Sequence, residues 1–299
     1  MSESELKILV VDTAAREAKL ALLRYTQPLS VKRKDIFSRY HKIQKSLKSQ
    51  ESESPEHEIT NFLSSFFSQI SIPESSNFPE SGNPYSSSQT LVPRMGELLA
   101  KNGLQPDHLD LVVVALGPGS FTGLRIGVVA AKTFAYATGC NIVGLDLMDA
   151  AANQADWLQT LLLDSPSAAG ANSSSEDQPV GVAINAGRGD VLATTYERGA
   201  DSELSLTIEA KIWKPDEWAA SLVPGTLITG DGVELISAVE IDGKQLEVID
   251  STCRMPFLAG LAILGIRRFL DHGPDNHWTM QPIYSRPSSA EEKKQQAKV

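Results

Sequence analysis

The segment GPGSFTGLRIG, residues 117 to 127, constrains the fold of this chain more than any other stretch. It follows the apolar run LDLVVVAL and precedes the small-residue stretch VVAAKTFAYATG, a pattern typical of a buried strand, a tight turn and a long helix. Such a turn either holds a phosphate group or lets another backbone approach closely. It lacks the Gly-Lys-Ser/Thr ending of a P-loop and the glycine spacing of a dinucleotide-binding motif, so neither nucleotide signature is present.

Length, charge and cysteine content exclude several classes of protein. A chain of 299 residues more naturally forms two lobes than one. Its net charge of -10 disfavours unaided binding of nucleic acid, which requires clustered lysine and arginine. Cys140 and Cys253 are too few for a disulfide framework or a thiolate metal site. The polar N-terminus and the absence of a long apolar run predict a cytoplasmic protein with no membrane segment.

A strand-turn-strand pattern occurs twice in the chain. The first copy is KILVVD (7–12) with AKLALL (18–23), and the second is VGVAIN (180–185) with VLATTY (191–196). Each copy is followed by a further apolar run that ends in glycine, at Gly117 and at Gly230. This repetition predicts an α/β protein with two lobes and a cleft between them.

The predicted domain organisation follows from changes in composition. Residues 46–88 are dense in serine and cannot bury enough apolar area to offset the entropy of ordering, which predicts a mobile insertion. We expect a first lobe at 1–148 that carries this insertion, and a connecting helix with a flexible linker at 149–179. A second, smaller lobe at 180–299 is expected to include a C-terminal helix and a tail.

Several segments, taken in order, resemble one known family. They are ILVVDTAAREAKLALL, LVPRMGELL, VVVALGPGSFTGLRIGVVAAKTFAYATGCNIVGLDLMDAAA, VAINAGRGDVLATTY and PIYSR. Together they closely resemble the YeaZ-type (TsaB) family, whose members are subunits of the bacterial machinery that makes threonylcarbamoyladenosine in tRNA. The resemblance implies the duplicated two-lobed fold of actin, Hsp70 and sugar kinases (ASKHA), in agreement with the repeated strand pattern.

The resemblance also indicates what the chain lacks. The related catalytic subunits of the TsaD type carry a metal-binding HMEGH segment, and Leu147 and Ala151 occupy the positions of its two histidines here. Neither residue can coordinate a cation, and Asp149 between them is more typical of a helix cap or the surface. The first turn has no glycine, and the second begins with Asn185 where relatives commonly have Asp, so independent phosphoryl transfer is not expected. We therefore predict no catalytic residue, no metal site and no firmly bound cofactor, with ATP and magnesium entering only through a complex.

The residues expected to line the cleft lie in two turns. They are Asp12, Thr13, Gly117, Pro118, Gly119, Ser120 and Arg125. A cation such as Arg125 in the first turn of a helix opposes the helix dipole, which predicts an anionic partner. An internal carboxylate, Asp12 or Asp146, or a bound phosphate would satisfy that expectation.

A ridge of small residues continues along the helix that begins near Thr122. Gly123, Gly127, Ala131 and Ala135 recur every four residues and therefore share one side of the helix. With Leu91, Met95 and Leu98 of the helix predicted at 88–103, they are candidates for a surface that pairs with a TsaD-like subunit. The alternative is that the ridge is buried between its own sheet and that neighbouring helix.

The function implied by the resemblance is that of a non-catalytic partner. It would support a TsaD-like enzyme in transferring a threonylcarbamoyl group to the adenosine after the anticodon of tRNA, with a TsaE-like ATPase as a further partner and tRNA contacted through the complex. One alternative is an ATP-dependent kinase or a peptidase acting alone, although no serine or cysteine has a histidine in a recognisable motif. The other is a self-associating structural protein, a homodimer when isolated.

Overall fold

A computed structural model describes most of the chain outside the predicted insertion. The described residues are 5–15, 18–26, 87–163, 178–199, 204–237, 240–241, 244–249, 254–256 and 258–286. The predicted insertion at 46–88 therefore lies outside them except for its last two residues. Most of the predicted linker and all of the tail after residue 286 lie outside them as well.

The first sheet is built from four strands. They are β1 (Glu5–Asp12), β2 (Lys19–Thr26), β3 (Leu111–Gly117) and β4 (Asn141–Asp146). Their order in the sheet is β2, β1, β3, β4, with β1 antiparallel to β2 and parallel to β3, and with β3 parallel to β4. The central strands are apolar along nearly their whole length because both faces of the sheet are covered.

A second set of strands follows in the C-terminal half. They are β5 (Val180–Gly187), β6 (Asp190–Arg198), β7 (Leu204–Trp213), β8 (Leu227–Thr229), the short pair β9 (Glu240–Ile241) and β10 (Lys244–Gln245), and β11 (Glu247–Val248). Five of them form one sheet in the order β11, β8, β5, β6, β7. Strand β5 is antiparallel to β6 and parallel to β8, and β8 is parallel to β11. A hairpin followed by two parallel strands is thus common to both sheets, as the repeated sequence pattern predicts.

Two long helices cover one face of the first sheet. Helix α1 (Ser87–Lys101) packs against α2 (Phe121–Thr138), and both contribute to an apolar cluster with the side chains of β1, β2 and β3 that point to this face. Helix α2 ends at Gly139, whose φ of 74° is the left-handed conformation that commonly stops a helix.

Helix α3 (Leu147–Leu163) connects the two sheets. Leu147 and Ala150 belong to an apolar cluster of the first sheet, whereas Ala151 and Ala155 belong to one of the second sheet. On the other face of the second sheet, the short helix α4 (Pro215–Ser221) buries Trp218. The alanine-rich sequence of α3 therefore lets one helix pack closely against both halves of the chain.

The C-terminal helix α5 (Leu258–His272) belongs to the predicted segment 180–299 and packs on the open face of the first sheet, opposite α1 and α2. Leu261 and Ile266 join the apolar cluster there, and Gly265 leaves room for the side chain of Val113 on β3. The first sheet is therefore covered by helices on both faces.

Among the described residues, no helix is long and apolar enough to cross a membrane.

Candidate functional site

The glycine turn between β3 and α2 packs against the turn of the first hairpin. Ser120 N–H donates to the carbonyl oxygen of Ala14 at 2.7 Å, and a Cβ at Gly119 would collide with the backbone of the same residue. At Gly117, which has a φ of 116° and precedes a cis Pro118, a Cβ would collide with the carbonyl oxygen of Ile283. Of the two explanations for this turn, close approach of another backbone is therefore the one that the contacts support.

The ridge of small residues on α2 is an internal contact. Gly123 faces the carbonyl oxygen of Thr13 and Gly127 faces its side chain, so a Cβ at either glycine would collide with this residue. Ala131 is 0% exposed and Ala135 is 3% exposed. These residues lie against the chain's own sheet, which is the alternative to the pairing surface that the sequence suggested.

The three residues of α1 that were grouped with the ridge are buried in the same place. Leu91, Met95 and Leu98 belong to the apolar cluster between the first sheet, α1 and α2. Their side chains present no surface on the isolated chain. The exposed residues of these two helices are different ones, among them Val92, Val129 and Tyr136.

Asp12 and Thr13 close the turn between β1 and β2. Asp12 Oδ1 accepts a hydrogen bond from Ala14 N–H at 2.9 Å. Burial raises the pKa of the Asp12 carboxyl, and this effect exceeds the opposite influences of that hydrogen bond and of Lys19. Thr13 Oγ1 is buried with no hydrogen-bond partner among the described residues. Asp12 and Thr13 therefore form part of the turn against which α2 packs.

The partner of Arg125 is aromatic, which corrects the expectation of a carboxylate. Its Nε donates to Tyr284 Oη at 2.8 Å, and its guanidinium lies 4.1 Å from the centre of the Phe121 ring. The two aromatic rings also contact each other, with centroids 4.6 Å apart. Asp12 and Asp146, the carboxylates expected there, instead accept hydrogen bonds from backbone amides.

Two further carboxyls lie where parallel strands end. Asp146 follows β4 and accepts a hydrogen bond from Met148 N–H at 2.7 Å, and burial raises its pKa to about 6. Asp231 follows β8 and accepts a hydrogen bond from Asn185 N–H at 2.8 Å, and burial also raises its pKa. Asp231 was not among the candidate site residues found from the sequence. Its position directly after an apolar run that ends in glycine could have identified it as a carboxyl at the end of a strand.

The two positions that the resemblance assigns to the TsaD-type histidines are part of the apolar interior. Leu147 and Ala151 are each 1% exposed, and Asp149 between them is exposed and accepts a hydrogen bond from Tyr196 Oη at 2.7 Å. Among the residues that the structure describes, no group of three or more His, Cys, Asp or Glu side chains could hold a metal ion. Leu147 packs with the first sheet, whereas Ala151 and Asp149 contact the second, so these positions of α3 connect the two sheets.

The turn of the second hairpin is exposed, whereas the first turn is buried beneath α2. Gly187, Arg188 and Gly189 have φ values of 74°, 61° and 76°. Asn185 Oδ1 accepts a hydrogen bond from Gly187 N–H at 2.8 Å and closes the turn. Arg286, near the end of the described chain, donates to the carbonyl oxygen of Ala186 at 3.0 Å.

Comparison with known proteins gives matches to two related families. The family model for tRNA N6-adenosine threonylcarbamoyltransferase (TsaD) matches residues 84–231. A curated enzyme of that name from Anaeromyxobacter dehalogenans is 42% identical over 59 residues, which are 20% of this chain and 18% of the relative. The TsaB protein of Bacillus subtilis is 49% identical over 45 residues, which are 15% of this chain and 20% of the relative. The matches span only 17% to 31% of the length of the curated relatives.

Solved structures match over nearly the whole chain. YeaZ from Pseudomonas aeruginosa has a TM-score of 0.56 at 17% identity, and the alignment covers 93% of this chain and 99% of that one. A second structure from that organism, described as similar to the peptidase YEAZ, also has a TM-score of 0.56 at 17% identity and covers 94% of this chain and 100% of that one. At this identity the likeness establishes the fold alone, a mixed α/β fold of the YeaZ type. The local sequence matches and the shared fold together confirm the resemblance to TsaB-type (YeaZ) proteins first seen in the sequence.

Proposed function

We propose that this chain is a partner subunit, without catalytic turnover of its own, of a TsaD-like enzyme that transfers a threonylcarbamoyl group to adenosine in tRNA. The observation that carries the proposal is the burial of Leu147 and Ala151, at 1% exposure each, where the resemblance places the metal-binding histidines of TsaD. Both side chains lie in apolar clusters and have no atom that could bind a cation. The chain thus has a fold similar to that of YeaZ, and neither Leu147 nor Ala151 can support the metal chemistry of TsaD.

The partner surface that we propose is the outer face of α1 and α2, which replaces the buried ridge. Val92, Val129 and Tyr136 are 60%, 62% and 65% exposed on this face. Gly96 lies within α1, and a side chain at this position would point into open space. Exposed large apolar side chains of this kind suit contact with a partner subunit.

The remaining components of the machinery belong to the same proposal. A TsaE-like ATPase would act on the assembled complex in the cytoplasm, and ATP, magnesium and tRNA would be bound there and not by this chain alone. In the absence of its partner, the outer face of α1 and α2 would pair with a second copy. A hairpin followed by two parallel strands occurs in both sheets, which supports a duplicated fold with two lobes.

Turnover by the isolated chain is the main rival. A cysteine nucleophile needs a lowered thiol pKa, but burial raises the pKa of Cys140, the cysteine that the described residues include. Phosphoryl transfer needs accessible carboxylates for magnesium, but Asp12 is 7% exposed and already accepts a hydrogen bond from Ala14 N–H. Both observations favour a role that depends on a partner.

The proposal is tested by co-expression with the TsaD-like protein of the same organism. Val129→Glu would place a charge in the proposed contact, whereas Val223→Glu would place one at a site 54% exposed elsewhere on the chain. We expect the first variant to stop co-purifying and to lose threonylcarbamoyladenosine in a strain that lacks the natural gene, and the second to behave as the parent. Loss of neither property in Val129→Glu would contradict the proposed surface. Retention of the modified nucleoside in a strain without the chain would contradict the function.

A further inference from the structure

The C-terminal segment 274–286 crosses from the first sheet to the second. After α5 it returns along β4, where Asp275 N–H donates to the carbonyl oxygen of Ile142 at 2.8 Å and Asp275 Oδ2 accepts from Gly144 N–H at 2.8 Å. Lys132 of α2 donates to the carbonyl oxygen of Met280 at 2.8 Å. This part of the segment is thus fixed to the first sheet and to its helix α2.

The same segment then reaches the glycine turn. Ile283 N–H donates to the carbonyl oxygen of Leu116 at 2.7 Å, at the end of β3. The next residue, Tyr284, lies on Phe121 and accepts the hydrogen bond from Arg125. The first turn of α2 is therefore held between the sheet and an aromatic side chain of the segment.

Arg286 joins this segment to the second sheet. Its guanidinium donates to the carbonyl oxygens of Ala186 at 3.0 Å and Gly187 at 3.3 Å, and it forms an ion pair with Asp190. All three partners lie in the β5–β6 hairpin. Arginine suits this position because its planar fork bonds several acceptors at once, whereas the single ammonium group of lysine does not.

The short distance along the chain makes this contact a tether. Ile283 is bonded to β3 and Arg286 to the second hairpin, and three residues span at most about 11 Å. The side chains of Arg286 and Asp190 are 21% and 15% exposed, so water competes only partly with their contact. Helix α3 holds the sheets together elsewhere, where Tyr196 donates to Asp149 and Arg198 forms an ion pair with Asp156.

We infer that residues 274–286 form a latch, in which Arg286 fastens the hairpin of the second sheet to the glycine turn of the first and fixes the separation of the two sheets. The latch and α3 restrain the sheets at two places, so the two sheets move as one unit. This inference concerns the isolated chain and is independent of the proposed partner.

The test compares Arg286→Ala with Lys214→Ala. Lys214 is the other cation bound to Asp190, is 64% exposed and is not part of the latch, which makes it a matched control. Hydrogen exchange in the turn at 187–190 is expected to be about tenfold faster in Arg286→Ala, because several hydrogen bonds to a charged group are lost. The control is expected to exchange at nearly the parent rate.

A distance measurement gives a second readout of the same latch. Spin labels at Asp107→Cys and Val223→Cys, in a background with the native cysteines replaced by serine, report the separation of the exposed sides of the two halves. We expect one narrow distance distribution in the parent and in Lys214→Ala, and a broader one in Arg286→Ala. If Arg286→Ala does not fold, Arg286→Lys takes its place, with faster exchange and a broader distribution again expected. Parent-like exchange and distances in the Arg286 variant, or equal changes in the control, would overturn the inference.

Discussion

Both sheets contain a hairpin followed by two parallel strands, but they differ in the segment that comes after the first of these parallel strands, β3 in one sheet and β8 in the other. In both, a glycine lets that segment lie on the first strand or turn of the hairpin. Gly123 and Gly127 face Thr13 in one half, and Gly230 and Gly232 face Ala183 in the other. After β3, however, the chain forms α2 of 18 residues, whereas after β8 it forms only a 3-10 turn, Asp231–Leu235. The same close packing at glycine therefore precedes two different structures, and among the described residues it is the strand of the first sheet that leads into a long helix with exposed apolar side chains.

The hairpin turns of the two sheets also differ in what covers them. Asp12, Thr13 and Ala14 of the first turn are buried beneath α2. The second turn lacks such a helix and is contacted by Arg286 of the C-terminal segment. A helix covers one turn and a short segment of chain restrains the other, so the contacts that hold the first should contribute more to stability.

The largest expected effect separates the inner and outer faces of α2. Ala131→Glu would bury an unpaired carboxylate at a position that is 0% exposed, whereas Val129→Glu, two residues away, is at a position 62% exposed. We expect the first to lower the free energy of unfolding by about 4 kcal/mol or more, or to prevent folding, and the second to change it by less than about 0.5 kcal/mol. Urea denaturation of the isolated chain measures both. Equal unfolding midpoints in the two variants would place Ala131 at a surface.

A smaller effect should distinguish two glycines that both lie in helices. Gly127→Ala adds a Cβ that collides with Thr13, whereas Gly96→Ala adds one in open space. The alanine gain in helix propensity is the same at both sites, about 1 kcal/mol, so their difference isolates packing. We expect Gly127→Ala to cost about 1–3 kcal/mol and Gly96→Ala to be neutral or stabilising in the same denaturation experiment. A stabilising Gly127→Ala would mean that the contact with Thr13 is loose.

The smallest expected effect is a pH dependence at the end of β4. The pKa of Asp146 is raised to about 6 in the folded chain from an ordinary value of 3.8, so the folded state binds this proton more tightly than the unfolded state. The stabilisation from this proton is present below about pH 4 and is lost as the pH rises through about 6.

Asp146→Asn removes the charge and keeps a side-chain oxygen for Met148 N–H. Asp12 and Asp231 shift in the same direction, so the measured quantity is the difference between variant and parent. Between pH 4.5 and 7.5, the variant should lose up to about 2 kcal/mol less stability than the parent. Parallel pH profiles would show that Asp146 is better solvated than its burial indicates.

Local features of the fold were predictable from the sequence. The hairpin strands and the strand before the glycine turn were found from apolar runs. Such runs indicate strands because a sheet that is covered on both faces buries the side chains on both sides of each strand. The helix expected to begin near Thr122 begins at Phe121, where the Ser120 side chain caps it. Each of these assignments depends on residues that are close together in the chain.

Features that depend on distant contacts were not predictable in the same way. The small and apolar residues of α2 cover so much of its circumference that the pattern does not say which side faces the sheet. Gly123 and Gly127 fit a partner helix as well as they fit Thr13. The partner of Arg125 lies 159 residues away, and the side of the first sheet that α5 covers depends on Gly265 meeting Val113. The PIYSR segment was recognised as part of the family resemblance. Its contacts with both sheets involve residues far away in the chain, so the sequence around it does not predict them.

The central claim is that this chain supports a TsaD-like enzyme and performs no chemistry alone. The most direct measurement is reconstituted threonylcarbamoyl transfer to unmodified tRNA, with the TsaD-like and TsaE-like proteins of the same organism, ATP and the threonylcarbamoyl-adenylate. We expect no modified nucleoside and no ATP turnover from this chain by itself, little product from the other components without it, and full product when all are combined. Product or magnesium-dependent ATP turnover from the isolated chain, or full transfer in its absence, would contradict the claim.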